Sequence, residues 1–414
     1  MNKHFSLRKT LTATLVASAC VVGWAPTAVV AAEADIAKRL DALEAELAAL
    51  KAQVARPAPA AAPASAQAAK EHVVSGTDGI TVYGKLELAA EANKDGVVSR
   101  NLLQNISSNI GFRGQRRLTG DLTGLMQIET GIAPDDSANS KTFASRNSFA
   151  GLRSDRLGSL IVGTYDMPLK RMDGNVDIMW GNADATEIIL EGAGTSRQSV
   201  TTAGASYAPF SGFHTRQKNV IQYWSPKFSN IEIKLAFSPD EVNGVLSGTT
   251  TTAYRKPVYG ASVEFDNKVW QFGVATETMK NFTADGKNMT ALMAQGGMKL
   301  GDLAFGLAYS QLDNHLNKKT SNWVLGAAYD ISLVSFKLNY GESSETADGK
   351  NDGLKMLGLE VDYPFDKNTV LFGYYSKITN GANARGRFEG GDNKFSPVAG
   401  TDPTALGLGI RFKF

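Results

Sequence analysis

The side chains best suited to chemistry in this sequence form two groups of opposite charge. The basic group is Arg113, Arg117 and Arg146, and the acidic group, in a later polar stretch, is Asp173, Asp177, Asp184 and Glu187. If the two groups faced each other across a narrow water-filled gap, their field would orient dipolar solutes and select among ions. A charge run in a loop is also typical of a solvated surface, so charge alone leaves both interpretations open.

Residues that could support catalysis or hold a metal are sparse. The sequence contains four histidines and one cysteine, and no catalytic or metal-binding motif surrounds His72, His214 or His315. His4 and Cys20 lie in a stretch that we expect to be removed. We therefore expect no cofactor, no metal site and no enzymatic activity. A carboxylate pair on the rim of the fold remains the open route to an enzyme.

The first 32 residues have the pattern of a secretory signal peptide. Lys3, Arg8 and Lys9 form a basic start, an apolar run follows at 11–22, and small residues precede Glu33. The run is too short for a membrane helix, and no later run of about 18 apolar residues exists. Removal of the signal takes three of the 43 Lys and Arg side chains and leaves them nearly balanced against 41 Asp and Glu. This balance indicates no nucleic-acid partner.

Residues 33–55 carry the repeat of a coiled-coil helix. Apolar side chains recur at alternating spacings of four and three at Ile36, Leu40, Leu43, Leu47, Leu50 and Val54. The flanking positions would pair Arg39 with Glu44, and Glu46 with Lys51, between parallel helices. One amphipathic helix lying on another surface is the alternative, and so short a coiled coil needs further contacts to stay assembled. Residues 56–79 are rich in Ala and Pro, which is typical of an extended linker.

From residue 80 to residue 414 the apolar pattern has a period of two, which predicts β-strands. In the last segment one face carries Leu406, Leu408, Ile410, Phe412 and Phe414, and the other carries Gly407, Gly409, Arg411 and Lys413. Sixteen such segments start near residues 80, 105, 122, 143, 157, 215, 231, 257, 269, 289, 303, 322, 333, 354, 368 and 404. Tight turns alternate with long polar loops between them. This asymmetry predicts an all-β fold, a sixteen-stranded antiparallel transmembrane β-barrel, and a soluble β-sandwich gives no reason for it.

Several segments of the predicted barrel resemble the trimeric Gram-negative porin family of the general-diffusion type. The matching segments are Ile80–Gly84, Ser108–Gly114, Ser145–Leu152, Leu157–Gly163 and Asn219–Pro226, together with Phe414. The resemblance implies a homotrimer and a loop at about 166–214 that folds into the barrel, with an acidic face opposite basic side chains. Strand phase directs Arg113, Arg117 and Arg146 to the lumen. Asn109 stands where some relatives carry a basic residue, which argues against strong anion selectivity.

These features predict an outer-membrane porin whose water-filled channel lets small hydrophilic solutes and ions diffuse passively. A substrate-selective porin is the nearest alternative, and an outer-membrane barrel enzyme is a more distant one. Phe414 resembles the aromatic signal read by the barrel-assembly machinery, although it also fits a simple interfacial residue. The expected partners are two further copies of the chain and outer-membrane lipid, and the helices offer a contact to peptidoglycan or another periplasmic surface.

Overall fold

The computed structural model describes most of the chain from residue 79 onward. The described residues are 79–135, 142–172, 174–179, 181–192, 195–201, 204–209, 212–213, 215–240, 256–282, 286–314, 319–346, 351–388 and 397–414. The predicted signal peptide and coiled-coil helix, and the predicted linker up to residue 78, lie outside this part. Within the described ranges, no helix is long and apolar enough to cross a membrane.

Sixteen antiparallel strands of the described chain form one closed barrel. They are β1 Ile80–Lys94, β2 in two parts (Ser99–Asn105 and Asn109–Thr119), β3 Leu122–Gly131, β4 Ser148–Ser154, β5 Gly158–Asp166, β6 Arg216–Trp224, β7 Ile231–Ser238, β8 Val258–Asp266, β9 Trp270–Met279, β10 Met289–Leu300, β11 Leu303–Asp313, β12 Lys319–Ile331, β13 Val334–Ser343, β14 Leu354–Pro364, β15 Thr369–Asn380 and β16 Thr404–Lys413. Both parts of β2 pair with β1, which makes them one bent strand. The barrel closes because β1 also pairs with β16, from Lys85 opposite Lys413 to Lys94 opposite Thr404. The predicted sixteen-stranded antiparallel barrel is therefore confirmed.

Three strands start at other places than the sequence pattern predicts, and β12 differs least, since it starts at Lys319 rather than near residue 322. β2 starts at Ser99 rather than near residue 105, because a break at 106–108 divides it. The side chain of Asn105 stabilises this break by accepting from the Ser108 amide at 3.1 Å and donating to the Ile132 carbonyl at 2.8 Å. β4 starts at Ser148 rather than near residue 143, because a turn containing Ala144 at a φ of 60° precedes it.

The two faces of the wall have opposite chemistry, as β16 shows. Leu406 and Leu408 point outward and are largely exposed, Leu408 by 72 %, whereas the inward side chain of Arg411 is only 4 % exposed. Exposed apolar and buried charged residues are the reverse of a water-soluble fold. The arrangement fits a barrel with lipid outside and a polar interior.

Aromatic side chains are unevenly distributed around the outer face. Among the described strand residues, all the largely exposed aromatics lie on β8 to β16: Tyr259, Trp270, Phe272, Phe305, Tyr309, Tyr329, Phe336, Tyr363, Tyr375 and Phe412. The outer face of β1 to β5 instead carries mainly aliphatic and small residues, including Gly84, Gly114 and Gly124. Phe112 on this face is half-buried, and Arg116 lies close to the turn to β3. Aromatic belts mark membrane interfaces. Within the strands that the structure describes, the outer face of β1 to β5 has no such belt of largely exposed aromatic side chains.

The connection between β5 and β6, residues 167–215, is called here the inner loop. It contains short helical turns at Leu169–Arg171, Gly174–Val176, Gly181–Ala183 and Thr186–Leu190. Its strands Thr195–Thr201 and Gly204–Pro209 form a small sheet with Ala384–Gly386. The loop packs on the inward face of the wall: the Ser310 hydroxyl donates to the Leu190 carbonyl at 2.6 Å, and the Asn339 amide donates to the Val176 carbonyl at 3.2 Å. The main buried cluster of the molecule therefore lies inside the barrel.

Candidate functional site

Two of the predicted basic residues meet on the inner wall around one carboxylate. The guanidinium carbon of Arg113 lies 5.0 Å from the centre of the Tyr83 ring. The Tyr83 hydroxyl donates to Glu129 at 2.8 Å, and the Arg146 guanidinium donates to the other oxygen of Glu129. Register explains the assembly, because Tyr83 pairs with Gly111 two residues before Arg113, and Gly111 pairs in turn with Glu129. A side chain at Gly111 would collide with the Tyr83 ring, so glycine there lets the ring lie over the wall.

A third arginine extends this basic surface and was missed by the sequence pattern. Arg216, the first residue of β6, forms an ion pair with Asp166 at 2.9 Å and donates to the Asn147 side chain at 2.9 Å. Lys170 of the inner loop lies 3.9 Å from the same Asp166 carboxylate. Burial lowers the pKa of Lys170, and Asp166 opposes that effect. The pairing of β5 with β6 brings these residues together, because Asp166 ends β5 and Arg216 begins β6 directly opposite it. We call Arg113, Arg146 and Arg216 the basic wall.

The predicted acidic residues of the inner loop differ in their solvent exposure. Asp177 is exposed and Glu187 is half-buried, whereas Asp184 is 7 % exposed. Asp184 accepts from the Thr186 amide at 2.8 Å and from the Thr186 hydroxyl at 2.6 Å. Burial, followed by the nearby charges of Asp177 and Glu187, raises the pKa of Asp184 well above its usual value. Asp173 lies outside the described residues.

Arg117 has a different place from the other predicted basic residues. It lies near the end of β2 that leads into the turn to β3, where its guanidinium donates twice to the Gly120 carbonyl, at 3.1 and 3.0 Å. The side chain is exposed and fastens the turn. The structure therefore does not bring Arg117 into the basic wall.

A buried ion pair joins the first and last strands of the barrel. Arg411 of β16 donates to one oxygen of Glu87 of β1 from Nε at 2.8 Å, and its terminal nitrogen lies 2.7 Å from the same atom. Lys85 contacts the other oxygen at 2.6 Å. Glu87 has no exposed surface. Both charges of the pair are therefore held inside the wall, where an unpaired charge is costly.

The same ion pair continues into β13 and β14. Lys337 bridges two carboxylates, Glu360 at 2.8 Å and Asp362 at 2.7 Å, and Arg411 approaches Asp362 at 3.5 Å. The whole set, called here the seam network, is Lys85, Glu87, Lys337, Glu360, Asp362 and Arg411. Its three positive and three negative groups balance. Alternation along the last segment predicts Arg411 on the polar face, but it gives no pairing between strands.

Glu91 of β1 fixes the tip of the inner loop. The Asn182 side chain of the loop donates to it at 2.6 Å, and the Asn93 side chain donates to its other oxygen at 2.8 Å. Gln104 donates at 3.3 Å, and the Tyr374 hydroxyl donates to the same oxygen as Asn182. Neutral donors from the wall and the loop thus share one buried carboxylate. The loop therefore spans the interior from β5 to the inner face of β1.

Groups of the kind that hold metals are not assembled in the described ranges. No cluster of three or more His, Cys, Asp or Glu with suitable geometry occurs among those residues. The four histidines fall outside them.

Phe414 continues the wall. Its amide and carbonyl exchange hydrogen bonds with Gly84 at 3.1 and 3.0 Å, and its ring stacks on the Phe412 ring with the two centres 6.5 Å apart.

Comparison with known proteins gives a consistent result. A family model described as Gram-negative porin matches residues 54–383. Major outer membrane protein P.IB of Neisseria gonorrhoeae is 28 % identical over 153 residues, which are 34 % of this chain and 43 % of that protein. A protein of the same name from Neisseria sicca is 28 % identical over 123 residues, 27 % of this chain and 33 % of that protein. The chain thus spans less than half the length of these curated relatives.

Solved structures share the fold at low sequence identity. An anion-selective porin from Comamonas acidovorans superposes with a TM-score of 0.66 at 19 % identity, covering 81 % of this chain and 99 % of that one. Salmonella typhi OmpF, in complex with daunomycin, superposes with a TM-score of 0.58 at 16 % identity, covering 83 % and 99 %. These similarities establish the barrel architecture.

Proposed function

The chain belongs to the Gram-negative porin family and to the outer membrane, and from that premise we propose that it forms a water-filled channel for passive diffusion of small hydrophilic solutes and ions. One observation carries the proposal: an inner loop crosses a barrel whose interior is lined by charged side chains. A polar interior admits water, and a loop fixed across it restricts the size of what passes. We propose no catalytic step.

We further propose that ions are selected between the basic wall and the acidic face of the inner loop. Arg113, Arg146 and Arg216 supply fixed positive charge on one side, and Asp177 with Glu187 supplies negative charge on the loop. Opposed charges in a narrow aqueous gap create a transverse field that orients dipolar solutes and disfavours apolar ones. Asp184 contributes less, because burial favours its neutral form. Arg117 contributes little, because it is held at the turn.

Reversal potentials in a salt gradient test this assignment. The double variant Arg113→Gln with Arg146→Gln should shift ion preference toward cations, and Asp177→Asn should shift it toward anions. Asp184→Asn should give a smaller shift than Asp177→Asn. Arg117→Gln is the matched control, since it removes an arginine from the same strand face, and should leave the potential unchanged. Unchanged values in both the arginine double variant and Asp177→Asn would place the selecting region elsewhere.

We propose that three barrels associate through the outer face of β1 to β5. Small side chains at Gly84, Gly114 and Gly124 permit close approach, and the absence of exposed aromatics among the described residues of that face suits a protein contact better than a lipid contact. The helices at 33–55 would then form a parallel bundle, because three adjacent barrels bring them together at high effective concentration.

Deletion of residues 33–70 tests the bundle. The truncated protein should fold and conduct, while its trimer should dissociate at a lower temperature in detergent than the parent trimer. A truncated trimer that resists heat equally well would show that the bundle contributes little to assembly.

Removal of Phe414 should slow assembly in cells more than it destabilises refolded protein, if Phe414 is also an assembly signal. Equal effects in the two settings would favour a purely interfacial role.

A further inference from the structure

The inner loop touches the wall at three inward-facing glycines. At each of them a Cβ atom would collide with a loop atom: Met167 Cε at Gly260 on β8, Met172 Sδ at Gly273 on β9, and the Ala183 carbonyl oxygen, with Met179 Sδ, at Gly358 on β14. The three methionine side chains are fully buried. Loop and wall therefore approach each other more closely than residues with a Cβ would allow.

Glycine and methionine, which form these three contacts between wall and loop, suit close and irregular packing. Glycine weakens a strand, so its use inside one often marks a close backbone approach. Methionine is unbranched and fills narrow gaps that a branched side chain cannot enter. Polar contacts of the loop with Ser310 on β11 and Asn339 on β13 lie along the wall between Gly273 and Gly358. The depth of the loop against the wall is therefore set by the missing Cβ atoms.

Gly358 differs from the other two glycines in what obstructs a side chain. At Gly273 the obstacle is the flexible side chain of Met172, and at Gly260 it includes the end of Met167 together with the ring of Pro168. At Gly358 the obstacle is the backbone carbonyl of Ala183, which no rotamer change can remove. The strand cannot retreat, because β14 is hydrogen-bonded along its length to β13 and β15.

We propose that Gly358, assisted by Gly260 and Gly273, is a positioning residue that sets the width of the channel by fixing how deeply the inner loop sits on the wall. A methyl group at Gly358 would lie 1.9 Å from the Ala183 carbonyl oxygen, so the loop tip would have to move into the lumen by about 1.5 Å to restore an ordinary contact distance. The channel would narrow without any change in its charged groups. This inference rests on the proposed channel function.

Planar-bilayer recording of the purified full chain tests the proposal. Gly358→Ala should have a lower unitary conductance than the parent and the same reversal potential. In liposome swelling, its size limit for neutral sugars should be smaller than the parent's. Gly296→Ala is the matched control, because this β10 glycine lies on the outer face, away from the inner loop, where a Cβ would meet only the edge of the exposed Phe272 ring, at 3.2 Å. It should behave as the parent. A folded Gly358→Ala protein with the parent's conductance and sugar limit would overturn the proposal.

A second pair of variants keeps the test decisive if Gly358→Ala fails to fold. Gly273→Ala should lower conductance, and adding Met172→Ala should restore it toward the parent's value, because the obstructing thioether is then gone. No recovery in the double variant, or no loss in the single one, would count against the proposal. A parent protein that conducts no current would instead refute the channel function itself, so the two failures are distinguishable.

Discussion

Replacing Arg411 by methionine should destabilise the closed barrel by about 3 kcal/mol. Removing one partner of a buried ion pair typically costs about 3–5 kcal/mol, because the remaining charge stays buried without compensation. Here the lower end applies, since Lys85 still contacts Glu87 at 2.6 Å. Methionine keeps much of the length and apolar stem of arginine, so the change removes mainly charge. It also removes the contact of the guanidinium with the Phe372 ring, at 5.0 Å.

Urea unfolding of the detergent-refolded barrel, followed by tryptophan fluorescence, measures this cost. Lys413→Met is the matched control, because Lys413 lies on the same strand and in the same phase but is exposed. It should change the free energy of unfolding by about 0.5 kcal/mol or less. In a double-mutant cycle with Glu87→Gln, the coupling energy between Glu87 and Arg411 should exceed about 1 kcal/mol. The reasoning is refuted if Arg411→Met and Lys413→Met unfold at the same urea concentration.

Because the pKa of Asp184 is raised, the native state holds the proton of this carboxyl group more tightly than the unfolded state does. The free energy of unfolding should therefore fall as pH rises from about 4 through the raised pKa. Asp184→Asn should remove this loss, as measured by urea unfolding at several pH values. Arg117→Ala should cost roughly 0.5–1.5 kcal/mol through its lost hydrogen bonds to Gly120, measured by the same unfolding assay, and should leave reversal potentials unchanged. Asn182→Ala should unfasten the loop tip from Glu91 and increase current fluctuations in bilayer recordings, and a current as quiet as the parent's would show that this contact is dispensable.

The barrel could be predicted from sequence because its determinants are local. Alternation in β16 places leucines outward and Arg411 inward without reference to any other strand, and turn residues divide the segments. The same phase rule predicted Arg113 on the inner wall, where its guanidinium lies over the Tyr83 ring. Arg146 lies in the segment before β4 rather than on the strand, and it reaches Glu129 from there. These predictions needed only a period of two and a count of residues.

The remaining features depend on pairings between distant parts of the chain. Phase could not separate Arg117 from Arg113, because only the distance from the turn decides which one meets Tyr83. Acidic residues of the inner loop look alike in sequence, and burial of Asp184 arises from its packing inside the barrel. Arg216 was missed because it falls at a loop end, where strand phase is undefined until Asp166 is known to lie opposite.

The pairing of β1 with β16 also has a consequence for the order of folding. Glu87 and Arg411 are 324 residues apart in the chain, so their contact is among the least local in the molecule and is expected to form late. Until it forms, β1 and β16 present unpaired edges that could join other strands. A shift of one residue in the pairing would turn Arg411 to the lipid side and leave Glu87 buried without it. The ion pair therefore favours closure in the correct register, because that register pairs the two charges and a slipped register leaves each of them without the other.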